Sequence, residues 1–482
     1  MENKRNLTLL TDLYQLTMMD GYLKQGRRDQ IAVFDLFFRQ NGMITYSLAV
    51  GLEQAVDYIL NLKFGEEEID YLKSVGCFDN EFLEYLKNFR FTGDVYAVKE
   101  GTVVFPGEPI LTIKAPIIEA QLIETALLNI INHQTLIASK AAKVCHAANG
   151  DSVLEFGLRR AQGPDAGIYG ARAAVIGGCN STSNVLAGKM FDIPVSGTHA
   201  HSWVMNFPDE YTAFMNYASV YPDNALLLVD TYDTLKSGVP NAIKCFDELV
   251  KKGHKPKGIR LDSGDLAYLS KEARKLLDNA GYDYVKICAS GDLDEHSINS
   301  LKIQGAKIDV WGIGTKLITS ADMPALGGVY KLSAVIENGV VTPKIKLSNN
   351  SEKITNPGIK DIVRIYDKQT GKAQADVICL KGEKFDETKP ITITHPTERW
   401  KKTTYTDYTI RHLQETIISG GKLVYELPNL KEIKKYAESE LETFWDEYKR
   451  LDRPQIYKVD LSDELYELKT GMIEKIRNKK GN

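Results

Sequence analysis

Between Val153 and about residue 335, short apolar runs alternate with amphipathic helical patterns, and no other stretch constrains the fold as strongly. The candidate strands are VLEF (153–156), IPVS (193–196), ALLLVD (225–230), GIRLD (258–262), YVKICAS (284–290), IDVWGIG (308–314) and GGVYKLSAV (327–335). Helical segments such as NAIKCFDELVKKG and LSKEARKLLDNAG separate most of them. Strands alternating with helices predict a parallel sheet. About seven such units, with no sign of two halves meeting at a switch point, favour closure into a barrel over an open sheet.

Polar residues test that expectation. Almost every candidate strand carries chemically able groups at its C-terminal end: Phe156 with Arg159, Thr198 with His201, Asp230 with Asp233, Arg260 with Asp262, Ser290 with Asp292, and Gly312 with Gly314 and Thr315. An α/β barrel whose site lies on the C-terminal face produces this distribution. The expected fold is therefore an α/β barrel.

The flanks support three segments. Residues 1–149 open on TDLYQLTMMDGYL, where Leu13, Leu16, Met19 and Leu23 recur at helical spacing. A strand (31–39), short strands broken by Gly101, Pro106, Gly107 and Pro116, and a long apolar helix follow. Residues 150–335 form the barrel. Residues 336–482 read as β-rich and then helical, partly packing on the N-terminal domain. A chain of 482 residues with a formal net charge of −4 has ample core-forming length and no basic excess for nucleic acid. No apolar run approaches the roughly 20 residues of a membrane span, and MENKRNLTLLTDLYQ has no apolar export core. Six cysteines without CxxC or CxxH spacing fit reduced thiols, so the expected location is the cytoplasm and no zinc site is indicated.

Chemistry concentrates in Glu155–Ser202, EFGLRRAQGPDAGIYGARAAVIGGCNSTSNVLAGKMFDIPVSGTHAHS. An Arg pair (Arg159, Arg160), Gly/Ser/Thr-rich backbone and an imidazole suit a phosphate-handling site. In SGTHAHS, His199 and His201 could be metal ligands, hydrogen-bonded core groups or a catalytic imidazole; no carboxylate or third His stands at a supporting spacing. Asp230, on a neighbouring strand end, could accept the Nδ1–H of His201 and fix its tautomer. In GIRLDSGD, Arg260 and Asp262 share one side of a strand; Arg suits a carboxylate or phosphate, and Asp suits a hydroxyl pair or Mg²⁺. A structural ion pair is the alternative. ASGDLDEH and VWGIGTKL end strands in small residues before helix starts, as phosphate sites do. Leu317 occupies the third glycine position of a dinucleotide fingerprint, which argues against a dehydrogenase.

DLYQLTM, EFGLRRAQG, GTHAHSW, LVDTYD, GIRLDSGDL, ASGDLDE and WGIGTKL occur in this order. Together they resemble nicotinate phosphoribosyltransferases over roughly residues 7 to 335. The resemblance implies formation of nicotinate mononucleotide and pyrophosphate from nicotinate and 5-phosphoribosyl 1-pyrophosphate. ATP is a co-substrate coupled through a phosphohistidine, Mg²⁺ accompanies the pyrophosphate and ATP, and the pathway is NAD salvage. It also implies an α/β fold of an irregular, incomplete TIM-like barrel with an N-terminal α+β domain and a C-terminal α+β extension, and a homodimer with shared active sites.

Carried over by motif, Tyr14 would stack on the pyridine ring from the neighbouring subunit and Phe156 would cover its other face. Arg159 would hold the phosphoribosyl phosphate or nearby anions. His201 would be phosphorylated and oriented by Asp230. Arg260 would meet the nicotinate carboxylate or the phosphates, and Asp262 the ribose hydroxyls. Gly291, Asp292, Gly312, Gly314 and Thr315 would bind the 5-phosphate and ribose, and Thr198 and Ser290 would also be substrate-binding. Ser183, in NSTSN, stands where the nicotinamide-using relatives place an aspartate, which favours the anionic substrate. A phosphate sensor on a decayed barrel and a metal-dependent aldolase or hydrolase are the competing classes.

Overall fold

A computed structural model describes residues 5–39, 45–350 and 353–479. The chain divides into two compact units, Met1–Thr135 with Ala325–Asn482, and Leu136–Pro324. No helix among the described residues is long and apolar enough to cross a membrane.

The Leu136–Pro324 unit is built on a six-stranded, wholly parallel sheet. Its strand order is Ser181–Thr182, Ser152–Glu155, Val310–Ile313, Lys286–Gly291, Gly258–Leu261, Leu226–Leu228. Apart from one step, spatial neighbours are sequence neighbours; the exception pairs the first strand of the unit, Ser152–Glu155, with the last, Val310–Ile313. One face of the sheet is apolar and buried: Leu227, Ile259, Leu261, Ile287, Ala289, Trp311 and Ile313, which alternation puts on the same side, have no exposed surface. The helices start on local signals. Asp265 accepts from Tyr268 N at 3.0 Å to cap Leu266–Asn279, and Asp294 with Ser297 forms a capping box for Glu295–Ile303. Helix Val239–Lys251 buries Val239, Ala242, Cys245, Phe246 and Leu249, the 3–4 spacing of one helical face.

The segment 194–199 is tied to both edge strands. Thr182 N donates to Pro194 O (3.1 Å) and Ser196 N to Thr182 O (2.9 Å) on one side. On the other, the Thr198 hydroxyl donates to Leu226 O (2.6 Å) and Leu228 N donates to His199 Nε2 (3.3 Å). Of IPVS (193–196), only Val195 makes a β-bridge, to Thr182. The two-residue strand Ser181–Thr182 takes the edge position beside Ser152–Glu155.

GGVYKLSAV does not join the parallel sheet. Strand Gly328–Glu337 pairs antiparallel with Ile31–Phe38, in the other unit. That unit contains a seven-stranded sheet in the order Val340–Pro343, Gly328–Glu337, Ile31–Phe38, Leu111–Pro116, Asp94–Val98, Gln414–Ser419, Lys422–Leu423. Residues after 336 therefore share a core with the N-terminal segment instead of standing as a third body: Gln414–Ser419 adds directly to Asp94–Val98. A second, six-stranded sheet is centred on Lys360–Asp367 and Ala373–Leu380. Helix Leu13–Lys24 follows Asp12, whose side chain accepts from Thr125 Oγ1 (3.0 Å) and makes no cap bond of its own.

One buried cation ties late residues to early ones. Arg364 has no exposed surface; it grips Asp376 through Nε (2.8 Å) and Nη2 (2.6 Å), Glu440 through Nη1 (3.1 Å) and Val103 O through Nη2 (2.7 Å). Phe444 lies 4.9 Å from its guanidinium carbon. Removing one member of such a cluster leaves buried charge uncompensated, at a cost of about 3–5 kcal/mol. Arg364→Met is therefore expected to destabilise the protein by that order, read from chemical denaturation midpoints. A loss below about 1 kcal/mol, the range of exposed pairs, would show that this cluster does not hold the unit together.

Candidate active site

Every strand of the parallel sheet ends on the same side, so the residues just past those ends converge. Phe156 follows Ser152–Glu155, Ser183 follows Ser181–Thr182, Asp230 follows Leu226–Leu228, and Asp262 follows Gly258–Leu261. Gly291 and Asp292 end Lys286–Gly291, and Gly314 and Thr315 follow Val310–Ile313.

Asp230 is the centre of the polar network. Its side chain is only 2% exposed. One carboxylate oxygen lies 3.1 Å from His201 Nε2. The other accepts from Asp262 N (2.9 Å) and from the Ser263 hydroxyl (2.7 Å). The partner of Asp230 is thus Nε2 of His201, not the Nδ1 expected from the sequence. The exchange follows from placement: His201 is the first residue of the short helix His201–Met205, and the far end of its ring reaches the strand end. With the carboxylate accepting Nε2–H, Nδ1 carries the lone pair.

The two histidines differ sharply in environment. His199 is buried, its Nε2 accepts from Leu228 N, and the ring sits against Tyr217 and Phe214. Burial pushes its pKa down to about 4, so it is neutral at physiological pH. His201 is about two-fifths exposed. Among the described residues no three His, Cys, Asp or Glu side chains are grouped so as to hold a metal ion.

Beside this pair, Arg260 donates through Nε to Ser290 Oγ (2.7 Å) and through Nη2 to Asp262 Oδ1 (2.7 Å). Ser290 also donates to Asp262. Burial raises the Asp262 carboxyl, but the Ser290 hydroxyl and the Arg260 charge outweigh it and hold the group below its usual range. The Arg260 guanidinium carbon is 5.7 Å from the Phe156 ring centroid. The ring is seated by glycine: a Cβ at Gly312 would stand 2.7 Å from it, closer than any side chain tolerates. Gly291 has φ +117°, and a Cβ there would meet Asp262 O at 3.0 Å. Both glycines are needed for the approach of neighbouring strand ends.

The sequence-predicted residues of the 136–324 unit divide into two groups. His201, Asp230, Asp262, Arg260, Ser290, Phe156 and Gly312 are joined by direct contacts. Arg159 is exposed in the turn Leu158–Arg160, Asp292 is exposed, and Thr198 spends its hydroxyl on Leu226 O. Tyr14 belongs to the other unit, half exposed on helix Leu13–Lys24. Two contributors went unread. Ser263, next to Asp262 in GIRLDSGD, donates to Asp230. Glu155, with no exposed surface, accepts from Thr182 Oγ1 (2.5 Å) and Gly157 N, while its carbonyl accepts from Ser183 N (2.9 Å). It fixes the strand ends that carry Phe156 and Ser183; an acidic residue inside an apolar strand was the available signal.

Comparison with known proteins agrees along the whole chain. Residues 9–132 match the nicotinate phosphoribosyltransferase N-terminal domain, 152–381 the nicotinate phosphoribosyltransferase family, and 359–469 the C-terminal domain. A nicotinate phosphoribosyltransferase of Bacillus subtilis is 48% identical over 98% of this chain and 96% of its own. One of Caenorhabditis elegans is 37% identical over 95% and 92%. The crystal structure of human nicotinic acid phosphoribosyltransferase superposes with a TM-score of 0.85 at 31% identity, covering 96% of this chain and 99% of that one.

The neutral His199 gives the protein an acid limb. Its folded pKa of about 4 lies below the ordinary value of 6.5, so the unfolded chain binds the proton first. Its contribution is fully present above pH 6.5 and is lost as pH falls towards 4, by about 2–3 kcal/mol. Unfolding free energies of His199→Asn across this window are expected to fall less steeply with acid than those of the parent. An unchanged slope would place the acid sensitivity elsewhere.

Proposed function

The chain belongs to the nicotinate phosphoribosyltransferase family, and from that premise we propose an ATP-coupled ligase of NAD salvage. It joins nicotinate to 5-phosphoribosyl 1-pyrophosphate, releasing nicotinate mononucleotide and pyrophosphate, with His201 as a transient phosphohistidine. The observation that supports this best is the Asp230 carboxylate, which orients His201 while holding the backbone of Asp262 and the hydroxyl of Ser263.

The proposed roles carry over from the family's motifs, and the geometry is compatible with them. The pyridine ring lies against Phe156, and Arg260, whose Nε and Nη2 are engaged, offers Nη1 to the nicotinate carboxylate or a phosphate. Ser183 and neighbouring backbone N–H groups complete a pocket for an anionic ring substituent. Asp262, held ionised, accepts from the ribose hydroxyls. Gly291, Asp292, Gly312, Gly314, Thr315, Thr198 and Arg159 form the phosphate and ribose surroundings. The ring nitrogen attacks the anomeric carbon as its bond to pyrophosphate breaks, and the electron pair leaves with pyrophosphate. Positive charge builds on the sugar, so positioning and fixed charge supply the acceleration. Mg²⁺ enters with the pyrophosphate and ATP, bound by their oxygens.

In the coupling half-reaction, Nδ1 of His201 takes the γ-phosphoryl group and ADP leaves. Water later cleaves the P–N bond and releases phosphate. Asp230 supports the positive charge that phosphorylation leaves on the imidazole. We read the parallel sheet, with segment 194–199 bonded to both of its edges, as an irregular, incomplete TIM-like barrel. We further propose a cytoplasmic homodimer in which the exposed Tyr14 of one subunit stacks on the substrate ring of the other. The six cysteines, all free thiols, support that location.

Mononucleotide formation should be measured with nicotinate, nicotinamide and quinolinate, each with and without ATP. Turnover of nicotinate, raised by ATP, is expected; preference for nicotinamide would overturn the Ser183 pocket, and no turnover would favour a sensor. His201→Ala is expected to abolish nicotinate-stimulated ATP hydrolysis while sparing slow uncoupled transfer. Intact coupling would remove His201 from its role. Mixing Tyr14→Ala with Arg260→Ala subunits is expected to recover part of the activity; verified heterodimers without rescue would exclude Tyr14 acting across the interface.

A further inference from the structure

The Met1–Thr135 and Ala325–Asn482 unit contains a cavity of about 1000 Å³, at the upper end of the size that small-molecule sites take. Its wall is strongly cationic. Eight Lys and Arg side chains line it, among them Lys360, Lys402, Lys458 and Lys469, against two carboxylates, Asp35 and Asp460. Asp35 is already neutralised, 2.7 Å from Lys360, with both side chains only 3% exposed.

The remaining charge is only partly compensated within the wall, where Asp460 stands against several cations. Lys469, on helix Asp463–Lys479, is 5% exposed, and among the described residues its one hydrogen bond is to a neutral amide, Asn356 Oδ1, at 2.9 Å. Burial lowers its pKa to about 8, and no carboxylate among the described residues opposes the shift. Lys458 donates to the Thr403 hydroxyl and makes no ion pair within 4 Å among the described residues, though its charge opposes the burial of the Asp460 carboxylate in the same wall. An ammonium shut away from water beside an amide is costly to keep unless an anion shares the cavity. Trp400, more than three-quarters exposed, also lines the cavity and offers a flat ring face.

We propose that this cavity is a binding site for a multiply anionic phosphate compound, held through its phosphate by Lys469 and Lys458. The site lies entirely in one unit, uses none of the strand-end residues, and stands independently of the transferase reading. Free pyrophosphate and a nucleoside diphosphate share the required chemistry; Trp400 adds a surface that only the nucleotide's base can use.

The full-length protein should be titrated calorimetrically with ADP and with pyrophosphate, alongside Lys469→Met and Arg260→Ala. Two classes of site are expected. Lys469→Met should weaken one class about tenfold or more, the scale of one lost charge-assisted hydrogen bond, and leave the other intact; Arg260→Ala should do the reverse. Loss for both ligands identifies phosphate as the recognised group, and loss for ADP alone identifies a nucleotide. A single class, abolished by Arg260→Ala and unmoved by Lys469→Met, would overturn the proposal. Should Lys469→Met fold poorly, reductive methylation of Arg260→Ala, mapped by mass spectrometry, gives the same answer. Lys469 is expected to be modified in the free protein and protected by ADP or pyrophosphate, and equal modification with and without them would also overturn it.

Discussion

Parallel pairing of Ser152–Glu155 with Val310–Ile313 joins the beginning of the Leu136–Pro324 unit to its end, and the position of every reactive group in that unit follows from it. In a parallel sheet all strands run the same way, so all their C-terminal ends open on one side. Joining first to last puts the strand that carries Phe156 beside the strand that carries Gly314. Phe156, Asp230, Asp262, Gly291 and Gly314 are thereby gathered from five separate strands without long loops. The same geometry explains the small residues: where strand ends crowd together, Gly291 and Gly312 leave room that any side chain would fill.

Burial then sorts the titratable groups by function. Asp230 has almost no contact with water, but each oxygen has donors, so its charge is spent on orientation. Asp262 stays ionised because Arg260 and Ser290 share it. His199 and His201 stand two residues apart with opposite fates. One is neutral and held by the backbone of the neighbouring strand. The other is open to solvent and backed by a carboxylate. Alternation along an extended segment would put both on one side; the helix beginning at His201 separates them.

That sorting marks the limit of what the sequence discloses. The polar strand ends and their motifs could be read because a parallel strand reports its end through an abrupt change from apolar to functional residues. The ring nitrogen facing Asp230 could not, since it depends on a helix start at His201. Nor could the partner of GGVYKLSAV: its alternation identifies a strand but carries no address, and the pairing with Ile31–Phe38 spans almost the whole intervening chain. Ser181–Thr182 is too short to leave any period. Glu155 and Ser263 lay inside noted motifs, yet only packing reveals that one is fully enclosed and the other turns its hydroxyl to Asp230.

The order of the two units along the chain carries a consequence for synthesis. Residues 136–324 leave the ribosome as one continuous stretch and can close their sheet at once. Strands Ile31–Phe38 and Asp94–Val98 have emerged long before, but their neighbours Gly328–Glu337 and Gln414–Ser419 come from the last third of the chain. Those two strands therefore wait through most of translation with unpaired backbone edges, the state in which β-structure recruits foreign strands. A truncation within the final third would leave residues 136–324 intact and the N-terminal segment without its partner strands, a ready client for chaperones or proteases.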